Sequence, residues 1–156
     1  MLIGRAAIAR LIPHAGAMCL LDAVLAWDDQ TISCRTARHH APGNPLARAG
    51  RLHALCGVEL AAQAMALHGR LAGGATAPPR AARLASLRDL VWRVERLDLV
   101  PGDLLVEAER LIGAAARAVY GFRVSGGGGE VLRGRAAVLL DAPLPGAPLS
   151  GPGAPP

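Results

Sequence analysis

Leu52-His-Ala-Leu-Cys-Gly-Val-Glu-Leu-Ala-Ala-Gln-Ala-Met-Ala-Leu67 is apolar around nearly its whole circumference, and that pattern predicts a buried helix. Extended to Arg51–Leu71, the helix would run roughly 30 Å, the diameter of a small domain. Glu59 stands in its middle. A carboxylate among apolar side chains loses hydration in its ionised form, so burial raises the affinity for a proton unless a partner offsets it. An unexplained buried acid is therefore a functional candidate.

Working outward, His39-His40-Ala41-Pro42-Gly43-Asn44-Pro45 supplies two imidazoles just ahead of a rigid turn. Imidazole is the side chain best suited to take a proton near neutral pH. The preceding sequence reads as a hairpin, with strands Met18–Trp27 and Thr31–Arg38 joined at Asp28-Asp29-Gln30, and with Ile32, Cys34 and Thr36 on one face. Ala6–Leu11 reads as a short helical turn ended by Pro13. Beyond the helix, Gly73–Pro79 reads as a flexible connection, followed by strands near Ala82–Glu95, Leu104–Ile112, Ala116–Ser125 and Glu130–Leu140. Tyr120, Phe122 and Val124 alternate with Val119, Gly121, Arg123 and Ser125, which gives that strand one core face and one wet face. The fold class that results is α+β, a curved antiparallel sheet of about six strands wrapped around one long buried helix. Residues 1–141 form one domain in this reading, and 142–156 a disordered tail rich in Pro and Gly. A sheet this small leaves part of the helix uncovered, so a second subunit is expected over it.

The 156 residues are 52% hydrophobic, enough for one domain with one core. Lys plus Arg number 17 against 12 Asp plus Glu, a net charge of +5, and every cation is arginine. That excess favours an acidic or phosphate-bearing partner. With only 3% aromatic residues the chain lacks stacking platforms for single strands, so no nucleic-acid partner is expected. Cys19, Cys34 and Cys56 have no paired spacing and read as reduced thiols. Arg5 and Arg10 break the apolar N-terminus, and Glu59 and His68 interrupt the best candidate span. Neither a signal peptide nor a membrane helix is expected, and the location expected is cytoplasmic.

Four motifs in order, Ile12-Pro-His14 with Leu20-Leu-Asp22, His40-Ala-Pro-Gly-Asn-Pro45, Glu59-Leu-Ala-Ala-Gln63 and Val100-Pro-Gly-Asp103, resemble the hotdog-fold 3-hydroxyacyl-acyl-carrier-protein dehydratases, especially the aryl polyene and pigment-pathway branch. The likeness spans Ile12 to about Leu140. It implies dehydration of a 3-hydroxyacyl thioester carried on the phosphopantetheine of acyl carrier protein, with His40 as base, Glu59 as acid and Gln63 in support, at sites formed across a dimer. No metal and no diffusible cofactor are implied. His39 is the alternative to His40. Adjacent strand residues face opposite ways, and the spacing to Pro42 favours His40. His14 is read as structural and outside the site.

The interval from Asn44 to Glu59 is longer than in typical fatty-acid dehydratases, so the amide that would hold the thioester oxygen is left among Gly50, Leu52 and Ala54. His53 and His68 lie too far apart on the helix to bind a metal with the paired histidines. Arg48, Arg51, Arg80, Arg83 and Arg88 are candidates to grip the carrier protein. Partners expected are acyl carrier protein and a second copy of the chain, or a heterodimer with another hotdog subunit. Two other functions stay open: a catalytically silent hotdog subunit, and an acyl thioesterase on the same fold.

Overall fold

The computed structural model describes residues 2–74, 82–114 and 117–140. Seven strands form one antiparallel sheet: β1 (Ile3–Gly4), β2 (Ala23–Trp27), β3 (Thr31–Thr36), β4 (Ala82–Trp92), β5 (Leu104–Ala114), β6 (Arg117–Gly126) and β7 (Gly129–Leu140), in spatial order β1-β2-β3-β5-β6-β7-β4. Helix α1 (Arg5–Leu11) follows β1, and the long helix α2 (Gly57–Ala72) lies across β3, β5 and β6. The added strand, β1, is a two-residue edge on β2. The expected tail and the Gly73–Pro79 connection lie largely or wholly outside the described residues, as does Arg80.

Register explains which face is core. Cys34, Val106, Val124 and Leu132 sit side by side on β3, β5, β6 and β7, and all four are fully buried beneath α2. One residue along, Ser33, Glu107, Arg123 and Arg133 form the neighbouring row and point the other way. Ile32, Cys34 and Thr36 are all buried, as are Tyr120, Phe122 and Val124, so both predicted alternations hold. Gly57 lets the start of α2 settle onto this floor. A Cβ there would come within 2.2 Å of Leu132 Cδ2.

Three of the boundaries that differ from the sequence reading bear on the site. The helix begins at Gly57 rather than Arg51, which shortens it to about 24 Å. The residues before it instead pair with 95–98: Leu52 N–H donates to Asp98 Oδ1 at 2.8 Å, Ala54 N–H to Glu95 O at 2.9 Å, and Leu97 N–H to Leu52 O at 2.8 Å. A 3-10 turn, Ala54–Cys56, then leads into α2, capped by His53 Nδ1 accepting from Leu55 N–H. The strand expected from Met18 starts only at Ala23, since Gly16–Met18 is a 3-10 turn and Leu20 bonds to side chains. The strand expected to reach Arg38 ends at Thr36, because Arg38–His40 is itself a 3-10 turn.

Candidate active site

On α2 the half-open stripe is Val58, Glu59, Ala62 and Ala66, while Leu60, Ala61, Gln63, Ala64, Met65, Leu67 and His68 are buried. Glu59 is therefore not enclosed within one chain. Its side chain keeps 32% of its exposure, on the side that the sheet leaves uncovered. Gln63 lies one turn on and is fully buried. The backbone fixes its amide orientation: Leu20 N–H can only donate, and does so to Gln63 Oε1 at 2.9 Å. Gln63 Nε2 is then the donor, to Met18 O at 2.7 Å and to Glu59 Oε1 at 2.9 Å.

His14, read from sequence as outside the site, reaches Glu59 as well. Its Nε2 is 3.1 Å from the same oxygen, Oε1. One carboxylate oxygen thus accepts from Gln63 and has the His14 ring nitrogen within ion-pair distance, and among the described residues Oε2 has no hydrogen-bond donor. The sequence signal for His14 was its place in Ile12-Pro-His14, but nothing local ties that loop to a helix 45 residues away; the pairing is tertiary.

The paired histidines occupy a second cluster. Because Arg38–His40 is a turn and not a strand, both rings face the same way, contrary to the alternation argument: His39 Nε2 is 3.1 Å and His40 Nε2 2.8 Å from Val100 O, with ring centroids 3.8 Å apart. A carbonyl only accepts, so each ring donates from Nε2 and keeps Nδ1 as its basic nitrogen. His39 is buried with Nδ1 unpartnered, whereas His40 is exposed. Burial, and secondarily His40, push the His39 imidazole below its ordinary range, against the hydrogen bond to Val100. Of the two rings, His40 is the more open.

The surrounding motif residues build this turn. Asp22 Oδ2 accepts from Ala37 N–H at 2.8 Å, Thr36 Oγ1 accepts from Arg38 N–H at 2.9 Å, and Asn44 Nδ2 donates to Arg38 O at 2.9 Å while Asn44 Oδ1 accepts from Leu46 N–H. The Val100-Pro-Gly-Asp turn sets the shared carbonyl, and Asp103 is tied to Arg35 at 2.8 Å. A cavity of about 360 Å³ opens beside Val100, lined by Leu99, Pro101, Glu95 and Glu130 among others. A larger hollow, about 640 Å³, lies along the strands and touches none of the candidate acids or bases named from sequence.

No hydrogen bond or ion pair joins Glu59 to His39 or His40 within the described chain. The candidates for the oxyanion amide narrow similarly. Leu52 and Ala54 N–H are committed to Asp98 and Glu95, and Asp98 is itself held ionised, its carboxyl pulled down to about 2 by Arg96 and by Leu52 N–H. Gly50 sits at φ +71 in the Arg48–Arg51 turn and is exposed. His53 caps its turn, and His68 bonds Tyr120 Oη at 2.9 Å and Asp28 O at 3.0 Å. No group of three or more His, Cys, Asp or Glu side chains is disposed to hold a metal among the described residues. Nor is any described helix long and apolar enough to cross a membrane.

A family model of the ApeP dehydratases matches residues 6–143. The chain belongs to the ApeP dehydratase family. No curated protein matches it. Among solved structures this family member is similar to the dehydratase heterocomplex ApeI:P from Xenorhabdus doucetiae, at 19% identity over 85% of this chain and 90% of that one, TM-score 0.75. AziG of S. sahachiroi follows at 15% identity, 84% and 98% coverage and TM-score 0.60. A mutant thioesterase from Pseudomonas aeruginosa matches at 19% identity, 75% and 78% coverage and TM-score 0.53. At such identities these likenesses establish the fold, which is the hotdog fold expected from sequence.

Proposed function

We propose that this ApeP-family dehydratase removes water from a 3-hydroxyacyl thioester carried on the phosphopantetheine arm of an acyl carrier protein, yielding the trans-2-enoyl thioester without metal or diffusible cofactor. The observation that carries this is the geometry of Glu59: one oxygen accepts from Gln63 with His14 Nε2 beside it, and the other is unclaimed, on the open stripe of an otherwise buried helix. A carboxyl held so presents its proton on Oε2. Elimination breaks the C2–H and C3–O bonds and forms C2=C3. The C2 proton passes to His40 Nδ1, with His39 as the alternative base, and the hydroxyl leaves as water with the proton of Glu59. Gln63 supports by fixing the acid.

Because acid and base do not meet within one chain, the site pairs Glu59 of one subunit with an imidazole of another. The partner is a second copy or another hotdog subunit, and the Xenorhabdus heterocomplex is a precedent for the latter. A second reading, that the chain is a silent partner of an active dehydratase, is favoured by one observation: Leu52 and Ala54 amides, two of the three oxyanion candidates, are already occupied.

The test is hydration of an enoyl thioester on carrier protein, followed by mass spectrometry, with wild type and Glu59→Gln. Gain of one water by wild type and its loss in Glu59→Gln is the expected result. Activity retained by Glu59→Gln would remove Glu59 as the acid. Free thiol in place of a hydrated thioester would mean hydrolysis, and an inert wild type that assembles only with another hotdog subunit would favour the silent partner.

A further inference from the structure

We infer that His14 is a positioning residue for Glu59, and that it and Gln63 together choose which carboxyl oxygen works. The inference rests on the dehydratase reading of Glu59 given above. Glu59 Oε1 lies 2.9 Å from Gln63 Nε2 and 3.1 Å from His14 Nε2. Gln63 cannot turn its amide round, because Leu20 N–H and Met18 O fix its two ends. Its nitrogen therefore always faces Oε1 as a donor. His14 completes the pair: an oxygen that already accepts needs a second donor and not a second acceptor, so the imidazole presents Nε2–H. The other ring nitrogen, Nδ1, is buried and has no partner, as suits a bare nitrogen in the neutral ring.

Two donors on one oxygen have a chemical consequence. Oε1 stays an acceptor whether the carboxyl is ionised or protonated, as a carboxylate oxygen in one state and as a carbonyl oxygen in the other. The proton is left to Oε2, where no protein group competes for it, and can be given up and regained there without rearranging either hydrogen bond. Gln63 alone would leave the carboxyl freer to turn about its last bond and put the proton on either oxygen. Reaction geometry is what the second donor adds.

The loop carrying His14 is held for this purpose at some distance. Arg5, at the start of α1, donates from Nη2 to Gly16 O at 2.9 Å and to Cys19 O at 3.0 Å, closing the loop that follows Pro13. His14, Met18 O and Leu20 N–H all come from this one segment. The acid on α2 is thus oriented, directly or through Gln63, by the chain between α1 and β2.

A positioning role and a merely structural one differ in what they move. His14→Phe, which keeps the ring's bulk and removes the donor, is expected to lower kcat by about ten- to one-hundredfold while KM changes little. His14→Gln, whose amide nitrogen reaches about as far as Nε2, is expected to recover kcat to within roughly threefold of wild type. Thermal melting of each variant separates loss of fold from loss of rate. Independently of turnover, protein labelled with 15N at histidine should show His14 as the Nε2–H tautomer, and Glu59→Ala should shift its ring signals. A His14→Phe enzyme with wild-type kcat, or failure of His14→Gln to recover what a well-folded His14→Phe loses, overturns the role. His14 signals unmoved by Glu59→Ala overturn the contact itself. A wild type without hydratase activity would count against the dehydration reading alone, and the tautomer measurement would still decide the pairing.

Discussion

Glu59 and His40 are held by opposite means. The proposed acid sits on a rigid helix, one oxygen accepting from the fully buried Gln63 and lying 3.1 Å from His14 Nε2. The proposed base sits on a short 3-10 turn, exposed, and shares a single carbonyl with its neighbour His39. The difference matches the roles proposed for the two groups. An acid that protonates a leaving hydroxyl needs its proton on a defined oxygen, whereas an imidazole needs only a fixed tautomer, and one strong acceptor on Nε2 supplies that. Each arrangement is complete in itself, so each can be broken without touching the other.

The largest effect is expected from separating the two clusters onto different chains. Glu59→Gln and His40→Ala should each lower turnover on the order of 10²–10⁴-fold alone. If the sites lie across a homodimer, unfolding and refolding the two variants together should restore about a quarter of wild-type activity, since half the dimers are mixed and each holds one intact site. No recovery, measured by the same mass-spectrometric hydration assay, would mean that the complementary group comes from a different protein. Next is the choice between histidines. His40→Ala should lose far more rate than His39→Ala, because the free Nδ1 of His39 is buried; the reverse order would make His39 the base.

Gln63→Leu strikes the acid's support. It leaves Leu20 N–H without a partner in a buried place and Met18 O without one in a half-buried place, which should cost about 2 kcal/mol and lower Tm on the order of 5 °C. Calorimetry of the folded variant reads this directly. The smallest effect concerns pH. Burial pushes His39 and His68 below the ordinary imidazole value of 6.5. Below 6.5 the unfolded chain binds protons that the folded chain does not, so their contribution is intact above 6.5 and is lost as pH falls from there towards their lowered values. Tm should decline shallowly in that window, and His68→Gln should flatten the decline; an unchanged slope would remove His68 from it.

Much of this was legible in the sequence for physical reasons that can be named. A side chain that repeats every second residue must face one way, so Tyr120, Phe122 and Val124 declared their buried face, and the apolar run around Glu59 declared its helix. The boundaries that failed did so where local propensity lost to a distant partner. Leu52 and Ala54 have helical sequence, but residues 95–98 take their amides; Leu20 reads as strand, but Gln63 takes its N–H. The facing of His39 and His40 failed for the same reason, since Asp22, Thr36 and Asn44 curl that segment into a turn.

By itself, then, the sequence determined a two-layer α+β arrangement built on one apolar helix, and named a carboxylate and a pair of imidazoles on separate elements, because periodicity and residue chemistry are local properties. Only the tertiary structure decided which oxygen of Glu59 is free, that both histidines share Val100 O, and that His14 belongs beside the acid. Those depend on polar contacts between residues 43 to 61 positions apart, where the partners are matched by the fold and by nothing adjacent in the chain.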